Sequence, residues 1–160
     1  MTRAPATIIL LRHALAGRRS DWTGPDHMRP LDEAGERQAR AIAATLQGLA
    51  PDRLLTSSYV RCIDTLEPFA TAVGMDIQLH DALVEGATQA DVENMLESLT
   101  GRVVLCTHGD VCRRITDWAH RRDLPVPIDT ETPKGAIWVI DRAAETANLI
   151  PPAVAAAEQV

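Results

Sequence analysis

The chain has 160 residues, 46% of them apolar and 24% charged, and a net charge of −6. That length suits one domain over residues 1–150 with a core of its own and is short for two. The acidic balance argues against nucleic acid and anionic membranes as partners, so any affinity for phosphate has to be local.

No apolar stretch reaches the roughly 20 residues that cross a bilayer. The start, Met1–Pro5, leads into a strand rather than a signal peptide. Cys62, Cys106 and Cys112 form no C-x-x-C pair, which fits a reducing compartment and leaves cysteine ligation of a metal without support. Together these readings predict a soluble, cytoplasmic protein. Lys134 is the only lysine beside fifteen arginines, a bias that genome base composition accounts for as well as function does.

The first strand is predicted over 7–11, where Ile8-Ile9-Leu10-Leu11 follows Thr7. A polar loop, 14–30, comes next, and long loops in compact domains often carry function. Asp32 reads as the cap of a helix over 33–48, with Ala39, Ile42, Leu46 and Leu49 at helical spacing. A short strand is expected at 53–56. Ser57 or Ser58 then caps a helix that buries Val60, Leu66, Phe69 and Val73. Pro68 predicts a kink or an early end, and Gly74 closes the element.

Ile77-Gln78-Leu79 is a weak strand. Thr88-x-x-Asp91 resembles a capping box before Val92, Leu96 and Leu99. Residues 102–106 read as a central strand and Asp110–Arg122 as a helix burying Ile115 and Trp118 or Ala119. Ala136–Asp141 and Ala147–Ile150 are late strands, and 151–160 is a frayed tail. Strands alternating with helices predict an α/β layered fold with a mainly parallel sheet, whose ligands bind at the carboxyl ends of strands.

Three strand ends carry chemistry. Arg12-His13-Ala14 follows the first strand, Arg61 follows the second, and His108 follows Val103-Val104-Leu105-Cys106. A neutral imidazole can attack phosphorus, which makes His13 the candidate nucleophile. Arg12 and Arg61 match phosphoryl oxygens with their guanidinium forks, and His108 is a further donor. Gly109 removes bulk beside the ligand, and the helix starting near 110 offers backbone N–H groups. A leaving oxygen needs a proton, and Glu85 before Gly86 is the candidate acid, with a solvated loop residue as the bland reading. Arg18, Arg19 and Lys134 are candidates for a second charged part of the substrate. His27, His80 and His120 read as surface residues and Trp22 as a packing residue.

Two other templates fail on spacing. A cysteine phosphatase needs Cys-x5-Arg, but the residue six after Cys106 is Cys112, and Arg113 comes one late. The phosphate-binding G-x4-G-K-[ST] loop is absent. A metal held by His13 and His108 would be repelled by the neighbouring arginines.

Leu11-Arg12-His13-Ala14, Ser57-x3-Arg61-x3-Thr65, Glu85 and Thr107-His108-Gly109 resemble, in order and spacing, the histidine phosphatase (phosphoglycerate mutase-like) superfamily. Arg29-Pro30-Leu31-x3-Gly35-x2-Gln38-Ala39 resembles its small SixA-type branch. Arg61-Cys62-x2-Thr65-Leu66-Glu67-Pro68 and Thr132-Pro133-Lys134-Gly135 are similar to the phosphatase domain that follows a Nudix domain in some MutT-type proteins. The resemblance implies a three-layer α/β/α fold and a phosphatase that needs no metal or other cofactor. In it His13 is the nucleophile, Arg12, Arg61 and His108 are the phosphate pocket, and Glu85 is the proton donor. Ala14 stands where the family commonly has glycine. The short stretch between Glu85 and Val103 speaks against a mutase. The implied substrate is a phosphomonoester, a phosphohistidine protein or a nucleotide polyphosphate. A phosphate-recognising module with little turnover is the alternative.

Overall fold

Alternation along the central strands sorts the core into two layers. The computed structural model describes residues 5–152, so most of the tail expected at 151–160 lies outside the described residues. Its six strands are β1 (Thr7–Arg12), β2 (Arg53–Thr56), β3 (Ile77–Leu79), β4 (Arg102–Thr107), β5 (Ile137–Asp141) and β6 (Thr146–Ile150). They form one sheet in the order β3-β2-β4-β1-β5-β6. The pairs among β3, β2, β4 and β1 are parallel, while β5 runs antiparallel to β1 and makes a hairpin with β6.

Ile8 and Leu10 share one face with Leu55, Val103 and Leu105 and pack under α3 (Gln89–Ser98) and α4 (Gly109–Arg121). Ile9 and Leu11 share the other with Leu54, Val104 and Cys106, under α1 (Glu33–Leu49) and α2 (Val60–Val73). β1 therefore reads as a continuous apolar run because both of its faces are covered. Each buried aliphatic side chain contributes roughly 1.5–3 kcal/mol. The result is a three-layer α/β/α sandwich with a mainly parallel sheet.

The helix starts follow the expected caps in two cases. Asp32 Oδ1 accepts the N–H of Gly35, and Thr88 Oγ1 accepts that of Asp91. α2 differs in three ways. Its cap position is Tyr59, and Ser57 lies outside the helix, accepting the Tyr59 N–H at 3.2 Å and facing His108 instead. Pro68 does not end the helix, which continues to Val73. Packing of Leu66, Phe69 and Ala70 into the core offsets the hydrogen bond that proline cannot make. Val73 is exposed, because the chain turns back at Gly74 (φ 69°) and sends Met75 to the core instead.

The register of β1 on β4 decides where the site forms. Arg12 pairs with Thr107, and the next residue, His13, donates its N–H to the Thr107 carbonyl at 3.0 Å. The ends of these two central strands thus bring His13 and His108 together. The loop after His13 is clamped on α1: Leu15 N–H donates to Gln38 Oε1 and Gly17 N–H to Asp32 Oδ2.

Gly35 makes this clamp sterically necessary, since a Cβ there would lie 1.8 Å from the Leu15 carbonyl oxygen. Alanine in a helix normally stabilises by about 0.5–1 kcal/mol over glycine. Here the sign reverses: Gly35→Ala is expected to destabilise by about 1–3 kcal/mol, measured by the midpoint of urea unfolding. A midpoint at or above wild type would contradict the close approach.

Candidate active site

A cavity of about 530 Å³ opens at the carboxyl ends of β1 and β4. Arg12, His13, Arg61 and His108 all line it, as do Glu85, Arg18, Arg19 and Lys134. The residues singled out in the sequence are therefore brought to one crevice, at the position where α/β sheets bind ligands.

His13 is 4% exposed, and its Nδ1 lies 2.7 Å from the Ala14 carbonyl oxygen. A carbonyl only accepts, so Nδ1 carries the proton and Nε2 keeps its lone pair. Burial pulls the His13 pKa down to about 3 against the opposing bond to Ala14; His108, Arg61 and Arg12 add to the lowering. Ala14 is itself held, its N–H donating to Thr65 Oγ1 at 2.9 Å, while the Thr65 hydroxyl donates to the Arg61 carbonyl at 2.7 Å. One turn of α2 therefore fixes both the strand end and the arginine.

His108 is also buried, its ring centroid 5.4 Å from that of His13. Its Nε2 lies 2.9 Å from Ser57 Oγ and 3.6 Å from Cys62 Sγ, and the Tyr59 ring packs edge-on at 4.6 Å. Ser57 Oγ accepts the Tyr59 N–H and keeps a hydroxyl proton to give to Nε2; in that tautomer His108 carries its own proton on Nδ1. His108 Nδ1 is buried and has no partner among the described residues.

Both arginines are preset by the protein. Arg12 Nη1 donates to the Thr132 carbonyl at 2.8 Å. The space left by Gly109 is filled by this guanidinium rather than kept for the ligand: a Cβ there would come within 2.9 Å of Arg12 Cζ. Arg61, 1% exposed, gives Nη1 to the Asp26 carbonyl (2.9 Å) and Nη2 to Asp26 Oδ2 (3.0 Å), with the Tyr59 ring 4.9 Å from its Cζ. In both arginines Nε is buried without a partner among the described residues.

Asp26 was not singled out from sequence, nor were Ser57, as a partner of His108, and Tyr59. Asp26 Oδ1 accepts from Arg29 Nε at 3.1 Å and pairs with Arg19 Nε at 3.2 Å. Arg29 is 7% exposed and donates to the Ala16 carbonyl at 2.7 Å. Burial raises the Asp26 pKa, yet hydrogen bonds and charges from Arg29 and Arg61 outweigh it and hold the carboxyl below its ordinary range. The only signal in the sequence was Asp26-x-x-Arg29 within the long loop, a spacing that fits an ion pair across one helical turn.

Glu85 lies at the cavity edge. Its segment is tied down by the Thr107 hydroxyl donating to the Leu83 carbonyl at 2.5 Å and by the Gly86 N–H donating to Asp110 Oδ2 at 2.8 Å. The carboxylate accepts from Arg19 Nη2 at 3.1 and 3.2 Å and lies 3.7 Å from Arg61 Nη2. Arg19 thus bridges Asp26 and Glu85 across the mouth. The side chains of Arg18 and Lys134 make no hydrogen bond or ion pair among the described residues. Burial, then the charges of Arg12, Arg29 and Arg61, lower the Lys134 pKa.

His27, His80 and His120 do not line this cavity: His27 meets the Tyr59 ring, His80 Nδ1 accepts the Ala82 N–H, and His120 Nδ1 lies against the Val126 carbonyl. Trp22, expected to pack, is 36% exposed; its indole N–H reaches only the Pro25 carbonyl, because the short turn through Gly24 folds it back on its own loop.

Buried neutral His13 has a consequence for stability. The unfolded chain binds a proton there near its ordinary pKa of 6.5, and the folded chain only near 3. Between these values the unfolded state binds more protons, so this residue makes stability fall as pH falls. The melting temperature of wild type is expected to drop more steeply from about pH 7 to about pH 4 than that of His13→Gln. Parallel curves would contradict the burial of a neutral imidazole.

A family model described as the histidine phosphatase superfamily (branch 1) matches residues 8–97. The match stops short of His108, whose place beside His13 comes from the fold. The chain is 36% identical over 140 residues, 84% of its length, to the 8-oxo-(d)GTP phosphatase of Mycolicibacterium smegmatis, and spans 44% of that protein. A SixA protein from Agrobacterium tumefaciens superposes with a TM-score of 0.71 at 26% identity, over 90% of this chain and 95% of that one. The protein histidine phosphatase SixA complexed with tungstate gives a TM-score of 0.72 at 19% identity, over 90% and 94%. The fold is the phosphoglycerate mutase-like one expected, and with half the sequence covered by the model, the chain belongs to branch 1 of the histidine phosphatase superfamily.

Proposed function

We propose that the protein is a metal-independent phosphohydrolase working through a phosphohistidine at His13. The observation that carries this reading is a set of three buried nitrogens without partners among the described residues, Arg12 Nε, Arg61 Nε and His108 Nδ1, on residues lining the same cavity as Nε2 of His13. A buried donor left unpaired costs roughly 1–3 kcal/mol. Oxygens of a phosphoryl group would recover that cost, most strongly as charge develops in transfer.

Nε2 of His13 forms a bond to phosphorus as the bond from phosphorus to the leaving atom breaks, an oxygen in an ester or anhydride and a nitrogen in a phosphohistidine. Glu85 gives that atom a proton. Water then attacks the phosphohistidine, Glu85 takes a proton from it, and inorganic phosphate leaves with His13 neutral again. Burial keeps His13 unprotonated throughout the range in which a solvent-exposed histidine would be blocked.

Six cationic side chains line the cavity against the single carboxylate of Glu85, which favours a substrate with more negative charge than one phosphoryl group. Arg18 and Lys134, which line the cavity and whose side chains have no partner among the described residues, are the groups proposed to meet that second charge. The candidate substrates are a phosphomonoester, a phosphohistidine protein or a nucleotide polyphosphate; the relatives named above bring the last two. A phosphate-recognising module with little turnover is the second reading, favoured by the engagement of Glu85 with Arg19 and Arg61.

A brief reaction with substrate labelled on phosphorus is expected to leave acid-labile label on wild type and none on His13→Ala. The variant should lose turnover by at least about a thousandfold. A chelator should leave the wild-type rate unchanged. Turnover retained by His13→Ala would overturn the mechanism, and binding without turnover across phosphoprotein, nucleotide and sugar phosphate substrates would establish the recognition module instead.

A further inference from the structure

Resting on the proposed phosphate site, we infer that Asp26 is a positioning residue: it occupies one edge of the Arg61 guanidinium and so presents the other edge to the phosphoryl group. A guanidinium has five N–H groups in a fixed plane, arranged as forks that match two oxygens at a time. Asp26 takes one N–H from each terminal nitrogen of Arg61, with its backbone carbonyl at 2.9 Å and its carboxylate Oδ2 at 3.0 Å. Both acceptors belong to one residue, so the plane of the guanidinium is set as firmly as the Asp26 backbone. The edge carrying Nε is left over, with Glu85 Oε1 no nearer than 3.7 Å to Nη2, and Nε is buried without a partner among the described residues.

The surroundings leave Arg61 few other ways to sit. It is 1% exposed, and the Tyr59 ring covers it at 4.9 Å. Asp26 is itself braced from behind, because its second oxygen meets Arg29 and Arg19, and the buried Arg29 is tied to the Ala16 carbonyl. The carboxylate also lies among three guanidinium groups, which would otherwise repel one another at the place where an anion must enter.

The opposite role is an internal anion that competes with phosphate for Arg61. The two differ in sign. Positioning predicts that removing the carboxylate weakens phosphate binding, and competition predicts that it tightens binding.

The test is calorimetric titration of the whole protein with inorganic phosphate, which needs no known substrate. Asp26→Ala is expected to weaken phosphate binding by about tenfold or more, as loss of the preset charged hydrogen-bonding geometry would. Asp26→Asn keeps the shape and the acceptor for Nη2 and should recover most of the affinity, which a general loss of loop structure would not. In an Arg61→Ala background, Asp26→Ala should add little, since its effect runs through Arg61. Equal or tighter binding by Asp26→Ala than by wild type would overturn the inference; should that variant fail to fold, tighter binding by Asp26→Asn than by wild type would overturn it. So would an undiminished effect of Asp26→Ala in the Arg61→Ala background. Arg61→Ala binding phosphate like wild type would instead remove the phosphate site on which the inference rests.

Discussion

The guanidinium groups of Arg12, Arg29 and Arg61 share one crevice with a neutral imidazole because each is held by the protein before any anion arrives. Like charges a few ångströms apart repel strongly where water is excluded. In this fold Arg12 is tied to the Thr132 carbonyl, Arg29 to the Ala16 carbonyl, and Arg61, Arg29 and Arg19 converge on Asp26. The loop over residues 14–30 follows from this constraint. It is long because it has to bring a carboxylate and several carbonyls around to face the strand ends.

The same arrangement governs the state of His13. Burial and positive neighbours keep it unprotonated, and the Ala14 carbonyl chooses the tautomer that leaves Nε2 free. The proposed nucleophile and its proposed phosphate clamp place opposite demands on one small volume: positive charge for phosphoryl oxygens, none on the attacking ring. Desolvation resolves the conflict, because it penalises a titratable imidazolium while arginine stays charged. Preorganised groups of this kind need no rearrangement as charge develops, which is where most electrostatic catalysis arises.

Much of the frame was legible from residue order. The apolar runs at 8–11 and 103–106 are buried on both faces, and caps such as Asp32 and Thr88 act locally, so short stretches of sequence carry them. The departures arise where tertiary packing overrides local preference. Pro68 stays helical because its neighbours pack on the core, and Ser57 is drawn from the helix end to His108. Gly109 gives room to Arg12 rather than to a ligand, a point no spacing rule contains.

By itself the sequence determined which residue types end which strands, and hence that His13, His108, Arg12 and Arg61 could meet at one edge of a parallel sheet. That information is local, since a strand's end and its side-chain alternation depend on neighbours a few positions away. Only the tertiary structure decided which partner holds each charge. Asp26 with Arg61, Arg19 with Glu85 and Ser57 with His108 are separated by 35, 66 and 51 positions. Hydrogen bonds act over about 3 Å, and the chain brings such distant residues that close only after the β1–β4 register has been set.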